Sequence, residues 1–353
     1  MRHTSLSPNI LEAITRVRES MSSDQLAVAD RMAIVNAGYI STYRDINFAG
    51  HLLYMKRSLV AHYSGDDKQY RILLVCGNSH SGKSSLIRHA LAADPGFNPY
   101  IASDGVETMP CLFLEAPSPA TLRNLAVEGL EKLGYPIKSD IRESRAWPEF
   151  RRQLKRRRVL FVFIDEAQHI INTNNSTECQ RVRDTLKHLV QMEDWPVRLI
   201  MAGVPPLERF RNEDDQIEER SKVMILGPLD ADNHVPHVQK YVRDVVVDHA
   251  KLELEDFLGG DFANRLIYAC DGCFGSIVKI IRASVEIALV EGSASVGKRH
   301  FARAYGDITG CSSTSNIFTA QEWRSQGAGA AKTNVDTTPT DKPKALRGGE
   351  RRK

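Results

Sequence analysis

Cysteine is scarce in this chain, six in 353 residues. So sparse a set cannot staple a disulfide scaffold and fits a reducing cytoplasm. Long apolar runs are missing as well. The longest clean one, Val159–Ile164, has six residues, whereas a helix across a bilayer needs about 20, so no membrane partner is expected. The opening Met1-Arg-His-Thr-Ser-Leu-Ser-Pro8 has no apolar core of the kind a secretory signal requires. A large charge excess is also lacking. The net charge is +3, but the stretch from Arg324 to Lys353 alone carries eight basic and three acidic residues, which leaves residues 1–323 slightly acidic. A uniformly basic nucleic-acid coat is thereby excluded, and any such contact falls to local patches or to the tail. What is present is 42% hydrophobic and 26% charged, the balance of a globular protein. The length suggests two or three domains, or one large domain with an appendage.

Residues 1–66 read as helical, with apolar residues at three-to-four spacing in Ile10–Met21, Gln25–Val35 and Phe48–Ala61. From 67 to 229 the pattern alternates. Arg71–Cys76, Pro110–Leu114, Val159–Ile164, Val197–Ala202 and Val223–Leu226 read as strands, with helices between them. Such alternation predicts a parallel sheet covered on both faces. After about Asp230 the strand signal vanishes, and residues 230–310 read as a small helical domain. Residues 311–353 turn to Ser, Thr, Gly, Ala, Pro and charge, and read as a disordered basic tail.

The strongest local signal is Gly77-Asn78-Ser79-His80-Ser81-Gly82-Lys83-Ser84, a full match to G-x4-G-K-[ST] between a predicted strand and a predicted helix. The glycines let the loop wrap so that backbone N–H groups point at phosphates, and the helix start, with Ser85 in its first turn, adds its positive dipole end. Lys83 would reach the β- and γ-phosphates of ATP, and Ser84 would ligate Mg²⁺. The strand Val159–Ile164 ends in Asp165 and Glu166. Asp165 would hold Mg²⁺ through its water shell, and Glu166 would orient the attacking water. The second carboxylate favours a hydrolase over a small-molecule kinase.

A strand ending in these carboxylates, then a further strand, then a helical domain is the layout of AAA+ ATPases, which work as rings or filaments completed by a neighbour's arginine. Arg220, just before the fifth strand, is the candidate for that arginine; the plainer reading is an exposed arginine paired with Glu218 or Glu219. From about Met32 to Ile308 the chain resembles the TniB/TnsC family of AAA+ transposition regulators, related to the B protein of phage Mu. The resemblance rests on Ile40-Ser-Thr-Tyr43, the phosphate loop, Leu112-Phe-Leu-Glu115-Ala-Pro117, Ile164-Asp165-Glu166-Ala-Gln168-His169, Ile200-Met-Ala-Gly203-Val-Pro205, Arg220 and Gly272-Cys-Phe-Gly275-Ser-Ile-Val-Lys279.

That resemblance implies an AAA+ P-loop ATPase of α/β class, with a central parallel sheet, N-terminal helices and a C-terminal helical lid. It implies ATP and Mg²⁺ as cofactors and a homo-oligomeric ring or filament on double-stranded DNA. It also implies recruitment of a DDE transposase, in concert with a target-selection adaptor, and disassembly on hydrolysis. Two positions depart from the family pattern. Val204 stands where a polar residue, usually Thr, would sense the γ-phosphate. In the lid the nearest basic residue after the glycine pattern is Lys279 rather than an arginine. Both bear on the rate of hydrolysis rather than on ATP binding.

Other features have two readings each. Arg151-Arg152-Gln-Leu-Lys155-Arg156-Arg157-Arg158 is either a surface for the DNA backbone or the solvated end of a helix. Thr121 and Arg123 compete for the DNA role, because the resemblance puts DNA near the second strand and its helix. Cys270 and Cys273 have zinc-like spacing but no second pair nearby, so packing is the expectation. His169 reads as a local orienting residue. A protein-remodelling or signalling AAA+ switch that never touches DNA is the main rival reading. A clamp-loader-like factor is a third, and would be expected to carry a further DNA-binding domain after the lid.

Overall fold

The computed structural model describes residues 8–62, 70–116, 121–137, 141–171, 176–212 and 214–331. Three helices come first: α1 (Pro8–Glu19), α2 (Ser23–Ala37) and α3 (Tyr43–His62). The helix α2 starts with a reciprocal capping box between Ser22 and Gln25. Next come β1 (Ile72–Gly77), α4 (Lys83–Ala93), β2 (Cys111–Glu115), α5 (Leu122–Lys132), α6 (Glu143–Arg156) and β3 (Phe161–Asp165). They continue with α7 (Gln168–Ile171), α8 (Ser176–Val190), β4 (Arg198–Gly203), α9 (Pro206–Asn212), α10 (Asp215–Arg220) and β5 (Ser221–Leu226).

All five strands are parallel, in the order β2-β3-β4-β1-β5. The strands β1, β3 and β4 are buried at every position, which is why each reads as an unbroken apolar run rather than an alternation. At the edge, β5 exposes Lys222 and Ile225. One face of the sheet packs on the apolar stripes of α5, α6 and α8, through Leu125, Phe150 and Leu186. The other face packs on α3 and α4, through Phe48, Met55 and Ile87.

The lid consists of α11 (Val235–Arg243), running into a π-helical turn at Asp244–His249, then β6 (Glu253–Leu254), α12 (Phe262–Ala269), α13 (Phe274–Val290), β7 (Ser295–Val296) and α14 (Lys298–Thr309). The expectation that strands end after Asp230 is corrected, because β6 and β7 pair in parallel. Two residues each is too short for a periodicity signal. The N-terminal helices divide their packing. Met32 and Val35 of α2 join the lid core, whereas Phe48 and Leu52 of α3 join the sheet core. Arg31 donates to Ala250 O and Arg282 to Gly38 O, tying α2 and its C-cap to the lid.

The disordered-tail expectation for 311–353 is corrected for 311–331. Ile317, Phe318, Trp323 and Ala331 are buried in the lid core. Phe318 lies against Phe262, Phe301 and Tyr305 at ring distances of 5.5, 6.1 and 5.7 Å. Arg265, itself buried, donates to the carbonyls of Ile317 and Ala320 at 2.6 and 2.7 Å. A few apolar residues at irregular spacing, held by one arginine from α12, order a stretch whose composition alone reads as tail. Residues 332–353 lie outside the described residues. No helix among the described residues is long and apolar enough to cross a membrane.

Candidate nucleotide site

The phosphate loop runs from the end of β1 into α4, at the carboxyl end of the sheet where open α/β folds bind ligands. Gly77 is required by crowding, since a Cβ there would lie 2.7 Å from Ser81 Oγ and 2.9 Å from Leu226 O. Gly82 is required by conformation, with φ at +91°. Together they leave the N–H groups of α4's first turn facing the loop's concavity, where a helix has no internal partners for them. Asn78, Ser79 and His80 form the loop's crest, and Ser85 lies one residue into the helix beyond Ser84.

Lys83 is buried, and its Nζ donates to the carbonyls of Gly77 and Asn78 at 2.9 and 3.0 Å. Burial pulls its pKa down, while the carboxylates of Glu166 and Asp165 push it back up. Burial prevails, so the Lys83 pKa lies below the ordinary lysine value. Ser84 Oγ donates to Asp165 Oδ1 at 2.8 Å, which puts hydroxyl and carboxylate side by side. Mg²⁺ in nucleotide sites takes one or two protein oxygens and completes its shell with phosphates and water, and this pair fits that requirement. Arg88 stands 3.6 Å from the other oxygen of Asp165, braced by the rings of Phe113 and Phe163.

Glu166 adopts a left-handed backbone, φ +51°, rare for a non-glycine residue. Its neighbours hold that turn: Glu166 N donates to Asp165 Oδ1, Ala167 N to Ala202 O, and His169 N to Glu166 O. The side chain of Gln168 donates to Glu166 Oε2. Val204 presents no polar side-chain atom beyond β4, but its backbone N–H donates to Gln168 Oε1 at 3.3 Å.

The lid touches the loop directly. Gly275 N donates to His80 O at 2.7 Å, and a Cβ on Gly275 would come within 2.5 Å of that oxygen. Gly272 has φ +65° and no room for a Cβ against Leu229 O. The Cys273 thiol rests 3.6 Å from the carbonyls of Ser79 and His80. Cys270 is buried, with its thiol pKa raised by that burial. Among the described residues no group of three or more His, Cys, Asp or Glu could hold a metal ion, and these cysteines have a packing environment.

Between the loop, α13 and the segment after α2 lies a cleft of about 660 Å³, bordered by Tyr39, Ile40, His80, Phe274, Lys279 and Arg282 among others. That size suits a ligand of nucleotide dimensions. Lys279 is exposed on this cleft. Arg282, one helical turn on, lines it too; its Nε is buried without a partner, and burial lowers its pKa. Arg44 is a further tie. Its buried guanidinium donates to Ser81 O and Gly227 O and lies over the ring of Phe274, joining the N-terminal segment, the loop and the lid.

Arg220 lies at the far end of the sheet. Register pairs Ser221 with Ile72 and Leu226 with Gly77, so the arginine stands about 20 Å of strand from its own phosphate loop. Its guanidinium donates to Gln216 O at 3.0 Å, while Glu218 pairs with Arg211. Of the two partners in the plainer reading, Glu218 or Glu219, the first is thus taken by Arg211.

The DNA candidates do not converge. Thr121 caps α5, accepting from Asn124 N, and Arg123 donates to Ile141 O. In the basic run Arg152 pairs with Glu149, Lys155 with Asp194, Arg157 with Glu107 and Arg158 with Asp104. Arg151 instead borders a groove between α6 and α8 beside Arg142 and Trp147.

Compared with known families, the chain matches Bacterial TniB protein over residues 39–229. The chain belongs to the TniB family. The matched segment starts at Tyr39 and ends at Leu229, between β5 and α11, narrower than the Met32–Ile308 expected. Comparison with curated protein sequences finds no match. Among solved structures, the Aeropyrum pernix ORC2 protein in its ADPNP–ADP complexes is similar at TM-score 0.54 and 12% identity, covering 78% of this chain and 71% of that one. The Cdc6p structure from Pyrobaculum aerophilum follows at TM-score 0.50 and 12% identity, covering 77% and 69%. At these identities the likeness is one of fold, and it is the AAA+ fold. The TniB chain is thus an AAA+ ATPase, and its lid meets the phosphate loop at Gly275 and His80.

Sequence reasoning missed Tyr39, Arg44, Gln168 and Arg282 as parts of this TniB site. Arg282 had a signal: it follows the lid glycines on the same helix at i+3 from Lys279, hence on the same face.

Proposed function

We propose that this TniB ATPase binds DNA in its ATP state, assembles on it as a homo-oligomer, and recruits or activates a DDE transposase, with hydrolysis dissolving the assembly. The observation that supports the proposal is the TniB family match, which spans the phosphate loop, Asp165 and Glu166. Adenine would lie in the cleft between Ile40 and α13, which Lys279 and Arg282 also line. Gly77 to Ser85 would cradle the phosphates and Lys83 would supply the cation, while Ser84 and Asp165 would hold Mg²⁺, whose charge would offset that of the phosphates. Glu166 orients the attacking water. Arg220 serves a neighbouring copy, a reading supported by its distance from its own loop. The nucleotides named with the ORC2 structure fit the same expectation for this chain.

The test is binding of labelled double-stranded DNA with and without a non-hydrolysable ATP analogue, across a salt series. Binding that needs the nucleotide and weakens steeply with salt is the expected result. Binding unaffected by nucleotide, or none at any salt, would replace this reading with that of a protein-directed AAA+ switch. Charge removal at Arg123, set against Arg151, Arg152 and Lys155 together, tells which end of the sheet domain faces the DNA.

A further inference from the structure

We infer that Gln168 is the positioning residue for Glu166, and that it anchors the glutamate to the tip of β4 in place of a polar side chain at position 204. The inference rests on the proposed role of Glu166 in orienting water. Its grounds are three independent features of the fold. The first is the amide's two-sided bond: Nε2 donates to Glu166 Oε2 while Oε1 accepts from Val204 N at 3.3 Å. A single side chain thereby spans the ends of β3 and β4. The second is burial, since Gln168 is only 5% exposed. A buried amide has to satisfy both its ends, and here both ends are satisfied within the site. The third is Gly203. A Cβ built on it would lie 2.7 Å from Gln168 Oε1 and 3.3 Å from Gln168 N. Glycine at the end of β4 is what leaves room for the amide.

The consequence concerns orientation. A carboxylate on a short left-handed turn has free χ angles, and only one placement aims it at a water in line with the γ-phosphate. Gln168 removes that freedom for one oxygen and leaves the other available. Because its second end is fixed to the main chain at Val204, a shift of the β4 tip moves the glutamate with it. A valine at 204 contributes only its N–H, and Gln168 turns that N–H into an anchor. The expected cost of losing the anchor is a turnover defect on the order of ten- to a hundred-fold, the scale of mispositioning a reacting group by a fraction of an ångström to an ångström.

The experiment compares ATPase kinetics and ATP affinity of the full-length parent with Gln168→Leu, Gln168→Glu, Gly203→Ala, Glu166→Gln and the Glu166→Gln/Gln168→Leu double variant. Gln168→Glu keeps the volume and the acceptor but removes the donor, so it stands if Gln168→Leu fails to fold. Each Gln168 variant and Gly203→Ala should bind ATP with parental affinity, with KM within about twofold, and lose kcat on the order of ten-fold or more. The double variant should be no slower than Glu166→Gln alone, because the anchor has nothing left to position. Parental kcat in both Gln168 variants overturns the inference, as does a loss that appears in KM, or a double variant slower than either single by the product of the two. If Glu166→Gln itself turns over at the parental rate, it is the proposed role of the glutamate that fails. A dead Glu166→Gln beside an active Gln168→Leu fails this inference alone.

Discussion

The contact between lid and phosphate loop can be broken with one methyl group. Gly275→Ala places a Cβ 2.5 Å from His80 O and 3.0 Å from His80 Cβ. The obstacle is backbone, which cannot swing aside as a side chain would. Overpacking of this kind costs about 1–3 kcal/mol. The shift also lengthens the 2.7 Å bond from Gly275 N to His80 O, worth about 1 kcal/mol. Together they weaken docking of the lid by about 2–4 kcal/mol, and each 1.4 kcal/mol is about tenfold. Because α13 borders the nucleotide cleft, an undocked lid is a binding-incompetent state and lowers the apparent affinity by its share of the population. The expected result is a higher Kd for ATP, by up to about tenfold per 1.4 kcal/mol of docking lost, read by titration of a fluorescent ATP analogue. Gly50→Ala is the control. It lies inside α3 with nothing within 4 Å of the added Cβ, should leave ATP affinity unchanged, and should stabilise the fold by about 0.5–1 kcal/mol. Parental ATP affinity in Gly275→Ala would refute the reasoning, since the lid would then contribute nothing to the site.

Four further outcomes are expected. Lys83→Ala should abolish ATP binding by the same titration; unchanged affinity would remove the loop from the site. Glu166→Gln should retain ATP binding but stop phosphate release, leaving longer-lived assemblies on DNA in a dissociation time course, and loss of ATP binding would make Glu166 structural. Arg220→Ala should bind ATP yet hydrolyse slowly, and mixing it with Lys83→Ala should recover part of the ATPase rate; a mixture that co-assembles by sizing yet stays inactive contradicts a trans arginine. Phe318→Ala removes a fully buried ring of the lid core and should cost about 3–5 kcal/mol, read as a lowered melting temperature of the full chain. An unchanged melting temperature would mean that the segment 311–331 contributes nothing to the lid.

The sequence by itself determined the strands of the sheet and the candidate phosphate loop, because both are written in contiguous residues. A strand buried on two faces must be apolar throughout, so β1, β3 and β4 are visible as short runs. The loop Gly77–Ser84 and the pair Asp165-Glu166 follow them directly. The resemblance in the lid segment pointed to Gly272 and Gly275 as well, although why each must be glycine came only from the atoms they approach: Leu229 O for Gly272 and His80 O for Gly275. Tertiary structure decided what depends on residues far apart in the chain. Periodicity cannot report that α2 packs on the lid while α3 packs on the sheet, or that Arg265 and an aromatic cluster order residues 311–331. It cannot say that the basic run on α6 meets Glu149, Asp194, Glu107 and Asp104, since charge density along a sequence says nothing of the acids brought to it. Gln168 and Arg44 show the same limit at the site. Each side chain bridges segments whose proximity exists only once β4, the loop and the lid are folded together, so the bonds that hold Glu166 and the lid have no local pattern to betray them.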